Sequence, residues 1–395
     1  MSRNMRDATI INVLGRRVWT ASGAPALEAE VHLACGAKGR AIASPATGAW
    51  PVPAAPGNAV AAVNGLLAAA LHGIDARRQE DVDATLFKLE LVGDPVVARA
   101  AFAACSIATA QAAARAADTP LFRYLCPGRP ARMPLPAVEV VADPSGAGPF
   151  RALVLVPFAA DGVDEALALS LAIERLVAGE LGPDLAVDER ALGRLFSAIE
   201  RAGFIPAEEV GVAVDVAAHR LYRNGRYHCG ATAYDADGWA ERLVRLVDEY
   251  PIACIEDPFA DPAPLARFTP LVDARARVVG NQLFASDAER IGAAATDGLA
   301  SGVVLRPEAA GTLSELRVAF DAARVAAWPV FLAADPSVED PSLAHIATAW
   351  QSGYVKLGGV GRGSLARWNE LIRIEAELQR GPAMLHIEAA ARLVH

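Results

Sequence analysis

Polar and apolar positions fall into two rhythms along this chain. Residues 10–14 (IINVL) and 27–34 (LEAEVHLA) are strand-like, a Pro/Gly/Ala-rich loop covers 43–57, and the sequence is then helical through 117. That order predicts an α+β unit. Further on, short apolar runs alternate with amphipathic helices. Leu169, Ile173 and Leu176 stand at i, i+4, i+7, and so do Trp239, Leu243 and Leu246. Thr312 with Glu315 has capping-box spacing, and Leu316, Phe320 and Ala323 continue that helix on one face. Strand and helix taking turns predicts parallel strand pairing. Between the halves, CPGRPARMPL (126–135) breaks both rhythms and reads as a linker, dividing the chain into domains 1–132 and 133–395.

The apolar runs of the second half end on polar residues. Asp215 follows VGVAV, Glu256 follows IACI, Asn281 follows ARVVG, Arg306 follows GVVL, Asp335 comes just after PVFLAA, and Lys356 follows GYV. Glu256, Asn281 and Arg306 are 25 residues apart, the length of one β/α unit. Repeated units of that length predict a (β/α)8-type barrel with its site at the C-terminal strand ends. One such residue alone reads as strand-end solvation or capping, whereas six on one rim point to a site.

Composition narrows the partners. At 395 residues and 53% hydrophobic content the chain can bury the cores of two domains. Its formal charge of -9 has the wrong sign for nucleic acid or an anionic membrane. The five cysteines (Cys35, Cys105, Cys126, Cys229, Cys254) form no CxxC pair and read as free thiols in a reducing compartment. The N-terminus has no apolar segment of signal-peptide length, and a cytoplasmic protein is the expectation. The alanine-rich stretch 101–117, interrupted by Gln111 and Arg115, reads as a buried helix rather than a membrane span. Lysine occurs only at 38, 88 and 356 while arginine is abundant, so Lys-to-Arg drift is one explanation of Arg306.

The phrases GRRVWTASGAPALEAEVHL, AVAAVNGLLAAALHGIDARRQEDVD, VGVAVDVAAHRLY, PIACIEDPF, the AAGTL after Arg306, and GYVKLGGVGRGSLARWNELIRIEAEL occur here in order. Together they resemble the enolases over almost the whole chain. The resemblance implies a small N-terminal α+β domain capping a C-terminal barrel, a homodimer, and Mg2+ at the strand ends. It also implies dehydration of 2-phosphoglycerate to phosphoenolpyruvate. In that reaction two magnesium ions stabilise an ene-diolate, a lysine removes the proton and a glutamate assists departure of the hydroxyl.

Carried over residue by residue, the resemblance makes Asp215 (in VDVAA) and Glu256 (in IEDPF) metal ligands. Asn281, in VVGNQLF, stands at the third ligand position, where the family has an aspartate. An amide there removes one unit of attraction for Mg2+ and keeps one oxygen, which weakens the site. Arg306 stands at the base lysine, and arginine cannot be deprotonated at workable pH. Lys356, in GYVKLGG, matches the lysine that binds the substrate carboxylate. Glu189, in AVDERAL, matches the acid/base glutamate, in a shorter loop without the usual following glycines; a solvated helix-start carboxylate is the plain alternative. The loop VADPSGAG (141–148) lacks the family histidine, Ala152 stands at a second glutamate, and Ala46 replaces a serine that would contact the second metal. LAADPSVED puts Ala334 and Asp335 where the family has a histidine and a phosphate-binding arginine, which reverses the local charge. No histidine reaches a catalytic position in this comparison: His219 and His345 fall on helix sequence and His32 on a strand.

Three readings stay open. The first is a degenerate homologue that keeps the fold and a residual ligand site as a binding or regulatory protein. The second is an enzyme of altered specificity using Asp215, Glu256, Glu189 and Lys356, with Lys356 as base, on a small unphosphorylated carboxylic acid. The third is a working phosphopyruvate hydratase. The first is expected, because base, metal ligand and phosphate clamp are replaced together. Arg306 is expected among Asp215, Glu256 and Asp335 as their counter-ion, the alternative being simple drift with the side chain in solvent.

Overall fold

In Pro25–Leu33 the side chains of Leu27, Ala29, Val31 and Leu33 are buried, while Glu28, Glu30 and His32 between them face outward. This period of two is what a strand with one covered face requires. The computed structural model describes residues 7–44, 57–89, 95–143, 146, 148–179, 186–359 and 364–379. In it β1 (Ile10–Trp19), β2 (Pro25–Leu33) and β3 (Lys38–Ala43) form an antiparallel sheet in that order. The alanine-rich segment is a 22-residue helix, Pro95–Ala116, packed on this sheet. Its small side chains allow close approach. A Cβ on Gly39 of β3 would lie 2.0 Å from the Ala108 carbonyl oxygen, so only glycine fits there. No described helix is long and apolar enough to cross a membrane.

Residues 125–134, free of helix and strand, lead into β4 (Leu135–Ala142). β5 (Ala152–Pro157) and β6 (Val210–Asp215) follow, then a small antiparallel sheet of β7 (Tyr222–Arg223), β8 (Arg226–Cys229) and β9 (Thr232–Tyr234). The remaining strands are β10 (Cys254–Glu256), β11 (Arg277–Gly280), β12 (Gly302–Leu305), β13 (Val330–Leu332) and β14 (Tyr354–Leu357). The barrel closes in the order β4-β5-β6-β10-β11-β12-β13-β14.

The expectation of parallel pairing throughout is corrected at one strand: β5 runs antiparallel to both β4 and β6. The nine residues 143–151 between β4 and β5 are fewer than the dozen or so a parallel crossover needs, so the chain turns back on itself. Two helices, Val163–Ala178 and Glu189–Arg201, then return it to the parallel course. The outer helix Leu313–Val325 starts at Thr312, whose hydroxyl accepts from the Glu315 backbone N–H at 3.2 Å.

Polar contacts join the two domains. Asp83, buried on the helix Gln79–Phe87, accepts from the Ser106 hydroxyl at 2.7 Å and from the backbone N–H and hydroxyl of Ser314 at 2.9 and 2.7 Å. A carboxylate from the small domain thus caps the first turn of a barrel helix. The Ile42 N–H donates to Asp340 at 2.6 Å.

Candidate functional site

The pleat explains why the strand-end polar residues converge. Ala137, Ala213, Cys254, Val279, Val304, Ala333 and Tyr354 belong to the apolar cluster inside the barrel. Two residues further along each chain segment come Glu139, Asp215, Glu256, Asn281, Arg306, Asp335 and Lys356. A period of two sets these on the inward side, one layer closer to the C-terminal mouth.

Four of the predicted residues are brought within contact of one another or of a shared partner. Lys356 Nζ lies 2.9 Å from Asp215 Oδ2 and 2.5 Å from Glu256 Oε2. Asn281 donates its Nδ2 to Glu256 Oε1 at 2.9 Å. Arg151, just before β5, donates to Asp215 Oδ2 from Nε at 2.9 Å and Nη2 at 2.5 Å, and its Nη1 stands 3.3 Å from Glu139. The carboxylates are almost completely buried, while Arg151 is about one-third exposed. Behind them Asp257 accepts the backbone N–H groups of Asn281 and Gln282, both at 2.7 Å.

The charges act on one another. Burial alone would raise the Asp215 carboxyl, but Arg151 and Lys356 outweigh it and hold Asp215 well below the usual carboxylate range. Burial and the Asp215 charge push the Glu256 carboxyl up, against the pull of Lys356 and Arg151. Burial would lower the Lys356 ammonium, yet Asp215 and Glu256 raise it, so it keeps its proton. Asp257, buried and beside Glu256, is pushed up to about 7.

Residues 174–389 match the family model described as "Enolase, C-terminal TIM barrel domain", and residues 54–125 match "Enolase, N-terminal domain". The chain belongs to the enolase family. Enolases typically bind Mg2+, and the residues present here do not fit that ion. Mg2+ demands oxygen ligands at about 2.1 Å in an octahedron. Between Asp215 and Glu256 the protein instead puts its own ammonium, with a guanidinium on Asp215, and Asn281 turns an N–H towards Glu256. Among the described residues no three His, Cys, Asp or Glu side chains converge as a metal-holding group.

Arg306 does not lie among Asp215, Glu256 and Asp335, and that expectation is corrected. Its Nε and Nη2 donate to Glu308 Oε1 at 3.0 and 2.8 Å, two residues further on in the short helix Pro307–Ala310. The turn that Pro307 starts swings Glu308 back over the strand end, closer than any barrel carboxylate. The drift alternative, a side chain in solvent, is equally set aside, since Arg306 is 9% exposed.

Two further predicted residues face other partners. Glu189 begins its helix with Oε1 held by Arg242 at 2.8 and 2.5 Å, and that guanidinium lies over the rings of Tyr234 and Trp239. Asp335 caps its own turn, accepting from the Ser337 N–H at 2.9 Å and hydroxyl at 2.7 Å. Ala46 lies outside the described residues.

Arg151, Glu139, Asp257 and Glu308 were missed by the sequence reasoning. The signal for Arg151 was the short β4–β5 connection, which brings the start of β5 to the same mouth as the ends of its neighbours. His219 was set on helix sequence. It occupies a single turn, Ala218–Arg220, just past Asp215, and neither ring nitrogen has a hydrogen-bond partner among the described residues. Burial and the Arg220 charge lower its pKa, so the ring is neutral.

Proposed function

We propose that this protein is an enolase-family member without 2-phosphoglycerate dehydratase activity. Its barrel mouth acts as a binding site whose carboxylates are paired with the chain's own Lys356 and Arg151, and the protein assembles as a homodimer. The observation that carries this reading is Lys356 Nζ seated between Asp215 and Glu256, where the family's divalent cation would have to bind. A lysine held as ammonium by two buried carboxylates is also a poor base. The family's base position is an arginine committed to Glu308, and the phosphate-clamp position is the acid Asp335. Stripped of base and electrostatic clamp, the reaction loses factors of about 10² to 10⁴ for each. The ligand at the mouth is a small carboxylic acid, met by the partly exposed Arg151.

One observation favours a second reading, an altered-specificity enzyme acting on an unphosphorylated 2-hydroxy acid. His219 is neutral, beside Asp215, with both ring nitrogens unpartnered, and could take a proton next to a carboxylate. The test is absorbance of the conjugated product. Purified protein with Mg2+ and 2-phosphoglycerate should give no phosphoenolpyruvate, and a panel of 2-hydroxy acids should give no unsaturated acid. Product from 2-phosphoglycerate defeats both readings; product only from the panel, lost in His219→Ala, selects the second.

A further inference from the structure

Between β6 and the helix Ala236–Glu249, residues 216–234 carry Arg220, Arg223, Arg226, His219 and His228 and no acidic residue. In a chain of formal charge -9 this stretch is locally positive. β7 and β8 form a hairpin over its middle, closed by Asn224 and Gly225, whose φ values of 50° and 78° suit a two-residue type I′ turn. That turn sets Arg223 and Arg226 directly opposite each other. Side chains paired in this way start about 5 Å apart, and like charges there destabilise the hairpin.

Nothing in the described structure offsets that repulsion. Both guanidinium groups are exposed, and neither makes a hydrogen bond or ion pair with any described residue. Other exposed arginines of the barrel domain have partners: Arg190 meets Asp188 at 3.0 Å, Arg267 meets Asp237 at 3.1 Å and Arg373 meets Glu370 at 2.8 Å. The next pair of the hairpin fixes its base. Tyr227 is 1% exposed, stacks on Trp239 with centroids 5.5 Å apart, and its hydroxyl accepts the Ala260 N–H at 3.2 Å. Tyr222 leans on Tyr227 at 4.9 Å and stays 36% exposed next to the two arginines. Arginine and tyrosine presented from a fixed base are the residue types that dominate binding at protein interfaces.

We infer that this hairpin docks a phosphorylated segment of a partner protein, with Arg223 and Arg226 sharing one phosphate. A phosphate monoester brings nearly two negative charges and three acceptor oxygens, enough for two guanidinium forks, whereas a single carboxylate is filled by one. A hairpin tip does not enclose a small ion as a concave site does. The phosphate is therefore carried by a larger partner that also covers Tyr222. Nucleic acid is disfavoured because the net charge of the chain repels a long polyanion. Arg223 and Arg226 are not residues of the proposed function, and the inference does not depend on that reading.

Fluorescence polarisation of the full chain with a labelled glycine-serine peptide carrying one phosphoserine tests the inference. The phosphopeptide should bind at least roughly tenfold more tightly than its unphosphorylated form, and added salt should weaken it. Arg223→Gln with Arg226→Gln should lower that affinity at least roughly tenfold, and the double lysine variant, which keeps the charge but not the fork, roughly threefold. Arg190→Gln should leave it unchanged. Without peptide, the double glutamine variant should melt no lower than wild type, since a repulsion is removed, which separates a lost contact from a damaged fold. Equal affinity for the two peptides, affinity untouched by the double glutamine variant, or inorganic phosphate or single-stranded DNA binding as tightly as the phosphopeptide would overturn the inference.

Discussion

Lys356 Nζ lies 2.5 Å from Glu256 Oε2, reaching from β14 to the strand on the opposite side of the closed barrel. The same nitrogen lies 2.9 Å from Asp215 on β6. This lysine is spent on two carboxylates of its own chain. Metal and ammonium compete for the same oxygens, so the proposed loss of chemistry follows from this pairing as much as from the arginine at the base position.

Arg306→Met should destabilise the protein by about 3–5 kcal/mol, the usual effect of leaving one member of a buried pair alone. The stranded group is Glu308, 5% exposed. Adding Glu308→Leu should recover most of the loss, and neither change should alter Mg2+ affinity. Urea denaturation of the three proteins checks this; a single variant as stable as wild type would show that the pair contributes nothing.

Restoring the family residues at two positions, Arg306→Lys with Asn281→Asp, should still yield no phosphoenolpyruvate. Lys356 and Arg151 would remain on Asp215 and Glu256, and Asp335 would still repel phosphate. Ultraviolet absorbance with 2-phosphoglycerate and Mg2+ measures it. A turnover approaching about 10 per second would mean that the cations are readily displaced.

The barrel was legible because its signals are local and periodic. The 25-residue spacing from Glu256 to Arg306 and the alternation within each strand do not depend on what lies across the barrel. The reversed β5 was not read, although ALVLVP following a nine-residue connection carried the information. The pairings at the mouth were less legible still. Lys356 meets Glu256 only because the barrel closes, and Arg306 meets Glu308 only because of the tight turn at Pro307. Sequence placed Asp215, Glu256, Asn281 and Lys356 on one rim, missed Arg151 and Glu139, and could not say which cation would meet which carboxylate.

Asp257 should make stability depend on pH. Its folded carboxyl holds a proton up to about 7, against an ordinary value of 3.8. Between those values the folded state carries the proton that the unfolded state has lost. Stability therefore falls as pH rises through the window, by at most about 1.4 kcal/mol per unit, and levels off above it. Asp257→Asn should be less stable overall, because its amide oxygen accepts only one of the two backbone N–H groups, yet its stability should vary less from pH 5 to pH 7.5. Urea titrations at both pH values decide it, and an undiminished slope in the variant would assign the dependence to another group.

Asp83→Ala should loosen the contact between the domains. It leaves the Ser106 and Ser314 donors without their acceptor, and unmet buried donors cost about 1–3 kcal/mol. The expected readout is a lower melting temperature together with faster amide hydrogen exchange in the first turn of Leu313–Val325. Exchange spread evenly over the whole chain would argue against a local cap.

The central claim, that Lys356 occupies the place of the divalent cation, is tested most directly by calorimetric titration of Mg2+ into wild type and Lys356→Met, with melting curves recorded with and without the ion. Wild type should show no binding at millimolar Mg2+ and no change in melting temperature. Lys356→Met should lose about 3–5 kcal/mol of stability, as Asp215 and Glu256 are left facing each other, and regain part of it on binding Mg2+. Wild type binding Mg2+ more tightly than the variant would contradict the account.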